Sequence, residues 1–300
     1  MDHPLTGFTR KLNRADKHLQ DIKGLIGELA DLEFYDLVTE LDYKRRPVAR
    51  FRSVRQPDPL RTAPLLIGDC LYNFRSALDQ LAYQLAVAHW KPKPLPSSWA
   101  KSSAFPIFNS GKKYRRKGSP GAAWKMRGMS RFARGAIERV QPYHRRKEPF
   151  LQMLWFLEEL CNIDKHRLIH VTAAAPYESE GWVENLNASG RIGLHQFAGP
   201  IEEGAKFMRV LGDLPAPAEV QVKSKITPTI IFDKRTELRA VQGLYVVPLL
   251  QNIRLAIWLY VVENLSAEIA RLFDARLQVT LTDADFPEPL PPMEVRSEHA

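Results

Sequence analysis

The sequence predicts an α+β protein: an up-and-down bundle of four to five helices with an antiparallel sheet built from a hairpin and a mid-chain β region. Two observations predict this class. Four regions repeat apolar residues at the three- and four-residue spacing of a helix, and two others are rich in β-branched and aromatic residues separated by turn residues. Because most of the strand-like segments follow one another directly, we expect them to pair antiparallel. We expect one domain over residues 1–285.

The helical bundle is predicted from the regions 8–33, 63–90, 125–166 and 246–273. The clearest helix is 63–90, which we expect Pro64 to open, because its apolar residues step alternately by four and three from Ile67 to Ala88. Region 125–166 is expected to hold a basic helix and then a second strong helix from about residue 149. Before it, residues 91–123 are predicted to form a long loop, interrupted by the apolar sequence FPIF at 105–108.

The β structure is predicted in two places. Residues 34–55 hold FYDLVTELD and VARFRSV on either side of KRRP, which indicates a hairpin. Residues 168–240 hold short β-branched segments separated by Pro and Gly, which indicates further strands. The acidic, Pro-rich tail at 286–300 is predicted to be disordered.

The composition excludes several protein classes. With 45% apolar and 26% charged residues, the chain is neither a disordered protein nor a coiled-coil rod. Cys70 and Cys161 lie in apolar runs and are expected to be buried thiols, too few for a disulfide framework, which fits a reducing cytoplasm. The N-terminus has no apolar stretch typical of a signal peptide, and the longest apolar run, 255–262, is far below the roughly 20 residues of a membrane span. We therefore expect a cytoplasmic protein that does not enter a membrane.

The net charge of +9 is concentrated in two segments. Residues 112–147 hold thirteen Lys or Arg against one acid, Glu138, and residues 44–61 hold seven against Asp58. Aromatic residues are interleaved with the first segment, a pattern typical of nucleic-acid binding. We predict that RNA or another phosphate-bearing ligand contacts Lys112, Lys113, Arg115, Arg116, Lys117, Arg145, Arg146 and Arg167. The alternative is a solvated loop whose charges only aid solubility.

A polar constellation stands out on the helix 63–90. Arg75 and Asp79 are four residues apart and can pair along the helix surface. The sequence NIDKHR at 162–167 ends the second strong helix and offers partners. We predict that Arg75, Asp79 and His166 meet between the two helices as candidate catalytic residues, supported by Asn73, Asp164 and Lys165. The alternative is that the polar residues face water and that the cations of 162–167 complement the helix dipole.

Three stretches carry a resemblance to known proteins. GDCLYNFRSALDQLAY at 68–83, QPYH at 141–144 and IDKHR at 163–167 resemble a widespread family of uncharacterised bacterial proteins, over nearly the whole chain. This resemblance implies an order of elements and no activity. More distantly, an Arg-bearing helix in a small bundle resembles the HEPN superfamily of helical bundles, which are often dimeric and include many metal-independent ribonucleases.

The HEPN resemblance implies that Arg75 steadies a scissile phosphate while a His moves protons, and that the protein forms a homodimer. The sequence departs from the HEPN pattern, which places that His on the same helix, because Gln80, Leu81 and Ala82 stand where it would be. A literal match, Arg139 to His144, has Pro142 inside it. His166 would therefore have to supply the imidazole from another helix.

The function we predict is binding of RNA or a nucleotide phosphate, with a degenerate, metal-independent ribonuclease site, no cofactor and no metal. The rival is a non-catalytic interaction protein whose polar cluster only fixes helix packing. A third hypothesis is an active ribonuclease completed across a dimer. Two weaker alternatives are a metal held by His166 and His170 with Glu158 or Asp164, and a nucleophilic pair of Cys161 with His166.

Overall fold

The structure is a computed structural model that describes residues 3–118, 121–177, 179–184, 192–212, 214 and 219–273. It is an α+β fold with antiparallel sheets, as predicted. The tail predicted to be disordered, 286–300, lies outside the described residues. The chain divides into two compact units. Of the described residues, the first unit contains 3–19, 68–167 and 247–273; the second contains those of 20–67 and 168–246.

The helices, in chain order, are α1 (Thr6–Ala30), α2 (Asp58–Trp90), α3 (Ser97–Ser102), α4 (Gly111–Tyr114), α5 (Ala122–Lys125), α6 (Arg131–Arg139), α7 (Gln152–His166), α8 (Val246–Ala256) and α9 (Glu263–Phe273). A π-helical segment, Ile257–Val262, joins α8 to α9. Short 3-10 turns form at Pro142–His144, Pro149–Leu151 and Arg239–Val241. The predicted apolar seam of α2 is confirmed, because Ile67, Leu71, Phe74, Leu78, Leu81 and Leu85 are all fully buried.

Helix α2 begins earlier than predicted. It starts at Asp58 and holds Pro64 inside it, so the expected start at Pro64 is wrong. Asp58 and Pro59 provide the start instead, since an acidic residue and a proline are both favoured in a first turn, where the amide groups have no partner within the helix.

The second strong helix expected from about residue 149 is confirmed as α7, whereas the basic helix expected before it is shorter than predicted. α6 covers only Arg131–Arg139, and Pro142 opens a 3-10 turn after it. The predicted loop 91–123 in turn contains α3 and α4. Serine caps explain two of these short helices: Ser110 Oγ accepts from the Lys113 amide, and Ser130 Oγ accepts from the Ala133 amide at 3.0 Å.

The strands are β1 (Asp36–Leu41), β2 (Pro47–Arg52), β3 (Val171–Ala175), β4 (Glu180–Glu184), β5 (Gly193–Gln196), β6 (Gly199–Pro200), β7 (Lys206–Leu211), β8 (Gln221–Lys225) and β9 (Thr229–Phe232). They form three antiparallel sheets, in the orders β1-β2-β7-β5, β6-β3-β9 and β4-β8. The antiparallel pairing, the hairpin β1–β2 and its union with mid-chain strands in one sheet, β1-β2-β7-β5, are confirmed. The expectation that all strands share a single sheet is wrong, because the other mid-chain strands form two further sheets. Interruptions such as Pro200, which has no amide hydrogen for a ladder, keep strands short.

One helical stretch among the described residues has the length and composition of a membrane span. It is Val246–Phe273, with a mean hydropathy of 1.3 over its best window, of which 56% is buried inside the protein. A core helix shows the same pattern, so composition alone does not assign this stretch.

Candidate functional site

A cavity of about 250 Å³ lies between α2 and α7 in the first unit, closed on one side by Lys125 of α5. Three basic and three acidic side chains line it: Arg75, Lys125, Lys165, Asp79, Glu158 and Asp164. The charges therefore balance within the cavity.

Arg75 is largely buried, with a side chain 11% exposed. Its Nη2 donates to the carbonyl oxygen of Phe105 at 2.7 Å and lies 3.2 Å from Asp79 Oδ1. Its Nε lies 3.3 Å from Glu158 Oε2. Nη1 is buried and has no hydrogen-bond partner. Two of the three guanidinium nitrogens are thus engaged by the protein itself.

Asp79 completes the attachment of Phe105 to α2. Its Oδ1 accepts from the amide of Phe105 at 2.9 Å. Burial raises the pKa of Asp79, and the charge of Arg75 and this hydrogen bond oppose that effect. The sequence predicted the pairing of Arg75 with Asp79 along α2, but not that the pair binds the backbone of Phe105.

Gln141 holds the other end of the same segment. It is fully buried; its Oε1 accepts from the Phe108 amide at 3.0 Å, and its Nε2 donates to the Pro106 carbonyl at 2.9 Å and to the Ile137 carbonyl at 2.9 Å. Arg75, Asp79 and Gln141 together bind the backbone of residues 105–108, and we call these three residues the FPIF clamp. Sequence reasoning missed Gln141, whose only signal was its place in QPYH.

Lys125 and Cys161 show how burial acts on the chemistry of the cavity. Burial, together with the charge of Arg75, lowers the pKa of Lys125. Burial raises the pKa of Cys161 to about 12, so its thiol stays protonated near neutral pH. That protonation argues against a Cys161 nucleophile.

The end of α7 places only part of NIDKHR in the cavity. Asp164 and Lys165 line it, at three and four residues from Cys161 and so on the same helix face. His166 is the last residue of α7; it is exposed and does not line the cavity. The expected meeting of His166 with Arg75 and Asp79 is therefore absent from the cavity, because residue 166 is rotated off that face. Since α7 ends at His166, it does not share a helix with His170 either.

Asn73 does not line the cavity either. It is buried, and its Nδ2 donates to the Asp69 carbonyl at 2.8 Å, within α2 itself. Asp164 instead approaches α2 at Gly68, where an added Cβ would lie 2.4 Å from Asp164 Oδ1. Burial and the nearby charge of Asp69 raise the pKa of Asp164. The small residue at position 68 thus lets α7 approach α2 closely at this point.

The predicted phosphate-contacting residues are mostly exposed. Aromatic contacts bring two parts of the segment together: the rings of Tyr114 and Tyr143 lie 5.7 Å apart, and the Arg115 guanidinium lies 5.8 Å from the Tyr143 ring. Arg145 contacts Asn109. We call the cations of the two parts joined by this contact the basic face: Lys112, Lys113, Arg115, Arg116, Lys117, Arg145 and Arg146. Arg167 is exposed and directly follows α7.

Few of these cations are neutralised. In the part of the chain that the structure describes, Arg115 is the one member of the basic face within ion-pair distance of a carboxylate, with its Nε 3.7 Å from Glu138 Oε1. Arg145 is half-buried and uses neutral acceptors, among them the Pro142 carbonyl at 3.4 Å. The remaining charge is free to attract an anionic partner.

Among the described residues, no group of three or more His, Cys, Asp or Glu side chains is placed to hold a metal ion. Searches against family models, curated proteins and solved structures gave no match. The resemblances to the bacterial family and to the HEPN superfamily therefore stay predictions.

Proposed function

We propose that this protein binds RNA, or another phosphate-bearing polymer, through the basic face of its first unit and does not cleave it. The observation that carries the proposal is the basic face itself: seven cations gathered by the Tyr114–Tyr143 contact, with a carboxylate partner for Arg115 alone among the described residues. Binding to a polyanion is driven by such unpaired cations, which displace the counterions of the phosphates.

The second basic segment of the sequence is a useful comparison. Within 44–61, several arginines already pair with acids: Arg46 with Asp42, Arg50 and Arg52 with Glu40, and Arg61 with Asp58. An arginine whose charge is already neutralised by a carboxylate of the same protein attracts a phosphate less strongly. The contrast favours 112–147 over 44–61 as the binding segment.

An exposed aromatic residue supports single-stranded RNA as the partner. Trp124 is 39% exposed, and the guanidinium of Arg127 lies 3.6 Å from its ring centroid. Unpaired bases stack on exposed rings and on guanidinium planes, whereas paired bases in a duplex are not accessible for such contacts.

Binding without cleavage is favoured by the state of Arg75. Its Nη2 and Nε are engaged by Phe105, Asp79 and Glu158, and there is no imidazole among the described residues that line its cavity. General acid–base cleavage of RNA needs a proton-transfer group within hydrogen-bond reach of the reacting oxygen. We infer that Arg75 and Asp79 act structurally in a HEPN-like bundle whose ribonuclease site is degenerate. The buried free thiols of Cys70 and Cys161 support a reducing, cytoplasmic location.

The proposal is tested by fluorescence anisotropy with a labelled oligouridine over a range of salt concentrations. Replacing Lys112, Lys113 and Lys117 with Gln should weaken binding and reduce the salt slope by roughly 0.7 for each phosphate that the variant no longer neutralises. The matched control replaces three exposed lysines outside the basic face, Lys91, Lys93 and Lys101, and should leave the slope unchanged. Equal losses in both triple variants, or no binding by the wild-type protein, would contradict the proposal.

A further inference from the structure

A second cavity in the first unit, of about 410 Å³, lies at the start of α6 and differs in charge from the cavity beside Arg75. Four of its lining residues can carry positive charge: His89, Arg131, Arg134 and Arg271. Among the described residues that line it there is no carboxylate, whereas three carboxylates line the Arg75 cavity. The cavity at the start of α6 would therefore attract an anion, whereas the carboxylates of the Arg75 cavity would partly repel one.

Arg131 and Arg134 are the arginines of this cavity whose side chains have no partner among the described residues. They are three residues apart on α6, so their side chains lie on one helix face. Both are exposed, and within the described residues neither side chain makes a hydrogen bond or an ion pair. They are free to engage a ligand without breaking an existing contact.

Arg271 is held in place from behind. Its Nε and Nη2 each donate to Glu268 at 2.8 Å, while Glu268 is buried and does not line the cavity. Glu268 Oε1 also accepts from Ser130 Oγ at 2.5 Å, which ties Arg271 to the residue that caps α6. The paired hydrogen bonds fix the orientation of the guanidinium, and Nη1 keeps its hydrogens for another acceptor.

Phe132 gives the cavity an aromatic wall. It is 73% exposed, and in the described part of the chain its ring packs on no other aromatic ring. Exposing a ring of this size to water is unfavourable by itself, and a flat ring beside a cationic cluster suits the stacking of a nucleobase. The cavity volume falls within the range of about 300–1,000 Å³ typical of small-molecule sites.

We propose that this cavity is a nucleotide subsite, in which Arg131, Arg134 and Arg271 bind a phosphate and Phe132 stacks on the attached base. The inference rests on the proposed function and deepens it, because it names the unit of the RNA strand that is bound and the residues that bind it. Arg131 and Arg134 carry the unpaired charge, and Arg271, although paired with Glu268, offers the hydrogens of its Nη1 as further donors. Such a set of donors suits a phosphate, which offers several acceptor oxygens, and the adjacent ring gives a nucleotide an advantage over phosphate alone.

The test uses isothermal titration of the full chain with uridine monophosphate, uridine and inorganic phosphate. Uridine monophosphate should bind most tightly, with uridine at least tenfold weaker. Phe132→Ala should weaken the binding of uridine monophosphate by about 5- to 160-fold, as expected for the loss of one stacked base, and leave the binding of inorganic phosphate unchanged. Arg134→Gln should weaken the binding of both uridine monophosphate and inorganic phosphate. Arg139→Gln is the matched control, because Arg139 is an exposed arginine of the same helix outside the cavity, and it should change neither.

The outcomes separate this inference from the proposed function. If Phe132→Ala and Arg134→Gln bind uridine monophosphate and oligouridine like the wild type, while the Lys112, Lys113 and Lys117 variant loses oligouridine binding, the subsite is wrong and the basic face stands. If uridine monophosphate binds as described but oligouridine does not bind through the basic face, the proposed function is wrong and the subsite serves a free nucleotide. Equal effects of Arg134→Gln and Arg139→Gln would overturn the subsite.

Discussion

Arg75 and Asp79 bind the two backbone polar groups of a single residue, Phe105. The guanidinium donates to its carbonyl oxygen at 2.7 Å, and the carboxylate accepts from its amide at 2.9 Å. A charged pair one helical turn apart on α2 therefore replaces the hydrogen bonds that a strand partner would give to this loop residue. Buried backbone groups need such partners, because leaving one unpaired costs about 1–3 kcal/mol. These two hydrogen bonds account for the presence of the Arg75–Asp79 ion pair at a mostly buried position, and no neighbouring imidazole is needed to explain it.

The first prediction concerns Arg75. Arg75→Ala should lower the free energy of unfolding by about 1–3 kcal/mol, because it leaves the Phe105 carbonyl without its donor and removes the cation that faces Asp79 and Glu158. The full cost of breaking a buried ion pair is not expected, since those two carboxylates are 37% and 24% exposed. Urea unfolding followed by circular dichroism measures the change. Unchanged stability with loss of an RNA-cleaving activity would instead assign Arg75 to catalysis.

The second prediction concerns the other end of the FPIF clamp. Gln141→Ala removes three hydrogen bonds at a fully buried position, so the Phe108 amide should exchange its hydrogen faster and the protein should lose about 1–3 kcal/mol of stability. Hydrogen–deuterium exchange resolved over residues 103–110 measures the local effect. Gln152→Ala is a control at a half-buried glutamine in α7, and it should leave exchange in that segment as it is. The same exchange rate in wild type and Gln141→Ala would show that the clamp does not hold the loop.

The third prediction concerns His166. Because it is exposed and lies outside the cavity, His166→Ala should change the stability by less than about 0.5 kcal/mol. It should also leave oligouridine binding within twofold of the wild type. Thermal unfolding and anisotropy measure the two effects. A selective loss of RNA cleavage in this variant would restore the three-residue site expected from the sequence.

The fourth prediction concerns acid stability in the second unit. Asp42 follows β1 and accepts from Arg46 Nη2 at 2.7 Å, with Arg209 Nε at 3.5 Å. The hydrogen bond from Arg46 lowers the pKa of Asp42 to about 2. A carboxylate with a lowered folded-state pKa stabilises the protein above its unfolded pKa, near 3.8, and loses that contribution as the pH falls through about 2.

Asp42→Asn keeps the side-chain oxygen and removes the charge, so it isolates this effect. The variant should unfold at a lower urea concentration than the wild type at pH 7, and the difference should shrink between about pH 4 and pH 2. Asp36→Asn, at the first residue of β1, is the control. A difference that stays constant down to pH 2 would contradict the assignment of the lowered pKa to Asp42.

The features that could be predicted from the sequence are those that depend on one helix or strand alone. The apolar seam of α2 and the pairing of Arg75 with Asp79 follow from helical spacing, which needs no knowledge of other elements. The contact of Gln141 with Phe108 joins residues 33 positions apart. No periodicity specifies such a contact, so the FPIF clamp emerged only from the structure.

The candidate site likewise combines features that follow from the sequence with features that depend on packing between elements. Exposure of Lys112 and Lys113 follows from composition, whereas their gathering with Arg145 depends on the packing of Tyr114 against Tyr143. The expectation for His166 failed because it depends on the rotation of α7 about its axis. Cys161 and Lys165 set the face that lines the cavity, and the next residue along the helix is turned about 100° away from it.

The most direct test of the central claim measures binding and integrity of the same RNA. Wild-type protein is titrated into labelled oligouridine at several salt concentrations, and the RNA is then run on a denaturing gel. We predict a linear fall of log affinity with log salt, with a slope of about −2 or steeper if three or more phosphates are contacted, and RNA of unchanged length. An affinity independent of salt, or RNA cut in a manner that Arg75→Ala abolishes, would contradict it.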